Sequence, residues 1–144
     1  MPDPDAISFD DQVIADMREH AGQVTQGPLA GHPLLIMTST GAKSGQPRRA
    51  ILTWSRDGDD YVVAGTAGGS PVPPAWLANL QADPHITIEV GNVPGPATAT
   101  AVLDGPERDR LWRQHVDALP WFAGYPEQTG RLIPMVRLRR DAAD

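Results

Sequence analysis

From Leu34 onward the sequence consists of short apolar runs that turn back at glycine and proline, and this habit confines the chain to a largely antiparallel sheet. Leu34–Thr40 is a compact apolar run ending in Thr and Ser, read as a buried strand. Gly41-Ala42-Lys43-Ser44-Gly45-Gln46-Pro47 is a turn, and Arg49–Arg56 alternates as a second strand. Asp57-Gly58-Asp59 signals a hairpin into a third strand, Tyr61–Thr66. Further on, Ile86, Ile88 and Val90 alternate with His85, Thr87 and Glu89; Ala97–Leu103 follows across a Gly/Pro turn, and Ile133–Leu138 ends the series. That makes about six strands without the helix–strand alternation of a doubly wound sheet. The expected class is α+β, mainly β: a closed or partly closed small barrel with flanking helices.

The helices are placed by their start signals. Ser8 and Asp11 have capping-box spacing ahead of a helix over about 9–21. Its stripe is Val13, Ile14, Met17 and Ala21, and Gly22 is its stop. Pro74 suits the first position of a helix over about 74–82, ended by Asp83-Pro84. Asp104 and Glu107, with Pro106 between them, open another helix whose apolar face is Leu111, Trp112, His115, Val116 and Leu119. Pro120–Arg131 reads as irregular or short-helical.

A chain of 144 residues with 40% hydrophobic residues and no internal repeat fits one domain, with a helical arm over about 9–21 and a barrel over about 34–138. With no cysteine, disulfides, thiolate metal sites and a thiol nucleophile are excluded together, and a reducing compartment such as the cytoplasm fits. A net charge of -6 argues against nucleic acid, whose backbone demands a basic face. Met1-Pro2-Asp3-Pro4-Asp5 lacks the pattern of a signal peptide, and no stretch approaches the roughly 18 apolar residues of a membrane span. Peripheral membrane contact stays open, as does the choice between monomer and homodimer.

Three segments are candidates for chemistry. In Thr38-Ser39-Thr40-Gly41-Ala42-Lys43-Ser44-Gly45-Gln46-Pro47-Arg48-Arg49 the glycines allow backbone N–H groups to converge as an anion nest. Ser44 adds a hydroxyl, and Lys43 and Arg48 add charge. Of the 12 basic residues only Lys43 is lysine, which singles out this turn. It is no Walker A loop, because Ala42 stands before Lys43 and a strand follows. An ordinary hairpin with basic flanks fits these residues equally well. In Ala64-Gly65-Thr66-Ala67-Gly68-Gly69, small residues admit a flat ligand close to backbone, although a plain connection also satisfies them. In Pro74-Ala75-Trp76-Leu77-Ala78-Asn79, Trp76 offers a ring wall or a core side chain, and Asn79 a cap or a brace for the loop before it. His20, His32, His85 and His115 have no metal-ligand spacing, so no metal is expected, and His115 reads as a core imidazole. Asp59-Asp60 reads as a solvated turn. An anion clamp beside a small-residue loop suits a bound cofactor better than hydrolytic side-chain chemistry.

Four motifs in order, T-S-T-G-A-K-S-G-Q-P-R, R-D-G-D-D-Y-V-V-A-G-T-A-G-G, P-A-W-L-A-N-L-Q-A-D-P and T-G-R-L-I-P-M-V-R-L, resemble the deazaflavin (F420)-dependent nitroreductase family, split β-barrel reductases of actinobacteria. The likeness runs from about Leu34 to Leu138. It implies coenzyme F420, with its phosphate and acidic tail at Lys43, Ser44, Gly45, Arg48 and Arg49. It lays the ring along Ala64, Gly65, Thr66, Ala67, Gly68 and Gly69, near Ala75 and Trp76. It implies hydride transfer to a small electrophile: a nitro compound, quinone or activated enone. Thr66 or Tyr125 would orient the substrate or supply a proton, while Phe122 stands where a substrate-facing phenol is expected. FMN in a related barrel, or an F420-binding carrier or sensor without turnover, are the competing readings.

Overall fold

The computed structural model describes residues 9–20, 33–66, 72–91 and 93–141, with the backbone alone for 9–13. Seven strands form one sheet: β1 (Leu34–Thr40), β2 (Pro47–Thr53), β3 (Ser55–Asp57), β4 (Asp60–Ala64), β5 (His85–Val90), β6 (Val93–Val102) and β7 (Met135–Arg140). Their order is β2-β1-β5-β6-β7-β4-β3, and every pairing is antiparallel.

The expected single strand Arg49–Arg56 is in fact two, β2 and β3, parted at Trp54. The two halves pair with different neighbours, β1 and β4, at opposite ends of the strand order. Only Trp54 separates them in sequence, so the chain itself ties one end of the sheet to the other. The sheet is thereby curled into a split barrel. Alternation alone could not reveal this, because a change of partner leaves the side-chain period intact.

Period two sorts the core into an inside and an outside. Leu35 and Met37 of β1 point inward, with Val63, Ile86, Ile88, Ala97, Ala99, Val136 and Leu138. The α2 helix (Ala75–Ala82) closes over them through Leu77 and Leu80. Leu34 and Ile36 point outward onto Ile14 and Met17 of α1 (Phe9–Glu19). On the opposite outer face, Val62, Ala64 and Met135 pack against Leu111 and Leu119 of α3 (Gly105–Ala118) and its flank, and against Phe122. A 3₁₀ turn (Pro120–Gly124) and the short α4 (Tyr125–Thr129) follow, as the irregular reading of 120–131 allowed.

Several boundaries move. β6 starts at Val93, four residues before the expected Ala97, and takes in Pro94 and Pro96. Residues 93–96 pair with β5 alone, because β7 joins only from Ala97, so proline costs no ladder bond on the open side. β4 ends at Ala64 rather than Thr66, and β7 runs Met135–Arg140 rather than Ile133–Leu138. Asp104 stands at the N-cap of α3, but its side chain makes no capping bond, and Glu107 turns to Arg110 and Arg137 instead. Ser8, Ala21, Gly22 and the side chains of Asp11 and Val13 lie outside the described residues.

Asp60 also departs from its solvated reading. It is 5% exposed, on the outer face of β4, and accepts hydrogen bonds from Arg137 (3.0 Å) and Arg139 (3.0 and 3.1 Å). Asp57 accepts from Arg110 at 3.0 Å through both oxygens and also pairs with Arg137. Arg110 first, then Arg137, hold the Asp57 carboxyl down to about 2. Charges spread over β3, β4, β7 and α3 thus meet in one network, which sequence distance concealed.

Candidate active site

The K-S-G turn joins β1 to β2 and is tightened from within. Gly41 N–H donates to the Gln46 carbonyl (2.8 Å), Gly45 N–H to the Gly41 carbonyl (2.9 Å), and Gln46 N–H to Ser44 Oγ (3.1 Å). Gly45 takes φ +70°, a conformation that favours glycine. A Cβ on Gly41 would stand 2.6 Å from Ser44 Oγ, so a side chain there would displace the Ser44 hydroxyl from the turn. Ala42 N–H donates to Asn79 Oδ1 of α2 at 2.9 Å.

These bonds take the two glycine amides out of the expected anion nest. The glycine amides are spent on closing the turn and face other protein atoms, not a ligand. What the turn presents is side-chain charge: the exposed Lys43, and Arg48, whose Nη2 donates to Ser44 Oγ at 3.3 Å. Asn79 braces this turn rather than the loop that precedes α2.

Between the turn and α2 lies an open cleft of about 510 Å³. Lys43, Ser44, Arg48, Arg49, Ala75 and Trp76 all line it, six of the residues singled out from the sequence. Gly41, Ala42 and Asn79 also line it, and none of them was among the site residues chosen from sequence. Trp76 serves both of its readings, since it walls the cleft and packs partly against the barrel core. The basic rim and apolar wall suit a ligand with an anionic tail and a flat ring. The donor set therefore fits F420.

The other candidates stand apart from this cleft. Ala64 is buried towards α3. Gly65 approaches Pro134 so closely that a Cβ would lie 2.8 Å from Pro134 Cγ, and its N–H donates to the Pro134 carbonyl at 2.9 Å. Thr66 is buried, and Arg131 donates to its carbonyl and to that of Gly65. Arg131 was quoted from sequence without a role, and only the closeness of T-G-R-L-I-P to a strand start hinted at one. Ala67, Gly68 and Gly69 lie outside the described residues. Tyr125 sits edge-on to Phe122 at 5.2 Å, and Phe122 is a core residue at 6% exposure rather than a substrate-facing one.

Asn79→Ala is expected to free the Ala42 N–H, loosen the turn and weaken F420 binding by roughly 5- to 10-fold. Asn79→Asp keeps an acceptor for that N–H but puts a negative charge in the cleft, so it should restore the turn without restoring affinity. Fluorescence titration with F420, beside amide exchange at Ala42, separates the two effects.

Among the described residues no helix is long and apolar enough to cross a membrane, and no cluster of three or more His, Asp or Glu could hold a metal ion.

Comparison with known proteins bears on the family and its cofactor. An F420H(2)-dependent quinone reductase of Mycobacterium tuberculosis is 39% identical over 110 residues, covering 75% of this chain and 74% of its own. A solved F420-H2 dependent reductase, FDR-A, superposes with a TM-score of 0.66 at 34% identity, over 74% of this chain and 94% of its own. A structure described as a domain-swapped dimer gives a TM-score of 0.68 at 30% identity, over 92% of this chain and 100% of its own. The profile of F420H(2)-dependent quinone reductases matches residues 11–140, and the chain belongs to that family of F420-dependent oxidoreductases.

Proposed function

We propose that this protein takes hydride from reduced F420 and reduces a quinone, with nitro compounds and activated enones as further acceptors of the same site. The observation that carries the reading is the cleft in which Lys43, Ser44, Arg48 and Trp76 meet. Bound F420H2 supplies a hydride, and with one proton this takes a quinone to its hydroquinone. Lys43 and Arg48 hold the phosphate and acidic tail by charge, and Trp76 walls the ring. Gly65 and Thr66 border the ring, where a hydroxyl or amide donor would steady the oxyanion that develops on the acceptor. Tyr125 is the second candidate for orienting the acceptor. The protein's task would then be to place the donor carbon within about 3–3.5 Å of the acceptor. The reducing cytoplasm is the compartment this reading assigns.

The test is anaerobic mixing of the protein and F420H2 with menadione, and separately with a nitroimidazole and a cyclic enone, followed by deazaflavin absorbance. Rapid oxidation with menadione supports the reading, and the other two acceptors define its scope. Tight binding without oxidation by any acceptor would make the protein a carrier. Binding of FMN in place of F420 would overturn the cofactor assignment.

A further inference from the structure

The T-G-R-L-I-P segment is absent from the cleft lining, yet it grips the backbone that the proposed function sets along the ring. Arg131 is half-buried, and its Nη2 donates to the carbonyls of Gly65 (2.9 Å) and Thr66 (3.3 Å) and, at the limit of a hydrogen bond, Val72 (3.5 Å). Gly65 and Thr66 form the stem leaving β4, and Val72 belongs to the stem entering α2. One guanidinium therefore spans both stems of that connection. Its own backbone is fixed in turn. Gly130 takes φ +63°, and the buried Thr129 accepts the Arg131 N–H at its Oγ1 (3.3 Å). Two residues beyond Leu132, the Pro134 carbonyl accepts the Gly65 N–H.

We propose that Arg131 is a positioning residue, which orients the Gly65–Thr66 backbone and so sets where Thr66 stands against the bound ring. This rests on the reading that Gly65 and Thr66 border the deazaflavin. In a trans peptide the C=O and N–H point opposite ways. With the Gly65 carbonyl drawn to Arg131, the Thr66 N–H is turned away from it, and the choice of face is no longer free. Arginine suits the task because the rigid guanidinium plane sets where Nη2 stands and its bonds are charge-assisted, whereas a lysine ammonium is a compact point charge on a flexible stem.

Single-turnover oxidation of F420H2 by menadione tests this in wild type, Arg131→Lys and Arg131→Ala. A misplacement near 1 Å costs up to about 100-fold in rate, so both variants should transfer hydride roughly 10- to 100-fold more slowly. Their affinity for F420 should change less than about threefold, because the tail clamp is untouched. Added guanidinium should restore the rate of Arg131→Ala. A folded Arg131→Ala with the wild-type rate, or a loss confined to affinity, overturns the proposal. If Arg131→Ala does not fold, Arg131→Lys carries the rate test. Amide exchange at Gly65 and Thr66, measured without cofactor, should quicken in that variant, and unchanged exchange also overturns the proposal. Failure of the wild type to bind F420 sinks the parent reading instead, and the exchange measurement still decides the clamp.

Discussion

Replacing Lys43 and Arg48 together by alanine is expected to weaken F420 binding by about 100-fold, from the loss of two charge-assisted contacts at an exposed site. Both side chains are exposed, so each works through partial solvent screening, and neither variant alone should reach that figure. The wild-type affinity should fall as salt is raised, and the double variant should lose most of that dependence. Stability should barely change. The fold loses only the 3.3 Å bond from Arg48 to Ser44, while the backbone bonds that close the turn are independent of both side chains. Fluorescence titration at two ionic strengths, with a melting curve for each variant, is the measurement. Wild-type affinity in a folded double variant would remove the tail clamp from this turn and leave the cleft without an assigned ligand.

The turn proposed as that clamp was legible in the sequence because its parts are adjacent. Lys43, Ser44 and Arg48 lie within one turn, and a lone lysine among 12 basic residues drew attention to it. What escaped detection was the destination of each backbone amide. Glycine-rich spacing announces that N–H groups are free to converge, but not whether a ligand or the turn itself receives them. Here Gly41 and Gly45 satisfy the turn, and Ala42 is met by Asn79 from 37 residues away.

The fold shows the same division between local and distant information. Period two identified the apolar strands, because inward and outward side chains alternate along each of them. It could not say that β2 and β3 serve opposite ends of one sheet, since that depends on partners remote in sequence. It also misjudged Pro94 and Pro96, whose tolerance comes from an unpaired flank and not from any feature of their neighbours. Asp60 was read as solvated for a similar reason. Its arginine partners arrive from β7, 77 and 79 residues later.

His115 supplies a second large effect, this time on stability. Its Nδ1 lies 2.6 Å from Ser55 Oγ across the α3–β3 contact, its ring meets Phe122 edge-on at 4.5 Å, and its Nε2 is buried without a partner. Burial pushes the imidazole down to about 4 from 6.5, because protonation would place a cation out of reach of water. The unfolded chain begins to take up this proton near pH 6.5, and the folded chain resists until about pH 4. Stability from this group is thus complete above the unfolded value and is lost as pH falls between the two. The loss should approach about 1.4 kcal/mol per pH unit within the window and total about 3 kcal/mol at its acid end. Asp57 loses its stabilisation only as pH falls from 3.8 towards about 2, below that window. Exposed His20 works in the opposite sense, because the Asp16 backbone carbonyl raises its pKa, so it slightly offsets the slope. Urea unfolding of wild type and of His115→Leu, at several pH values from 7 down to 4.5, tests the assignment. The wild type should weaken steadily with acid. His115→Leu should lose most of that slope whatever its absolute stability, and His115→Leu with Ser55→Ala should do the same without an unpaired hydroxyl. An equal slope in all three proteins would assign the acid sensitivity to a group other than His115.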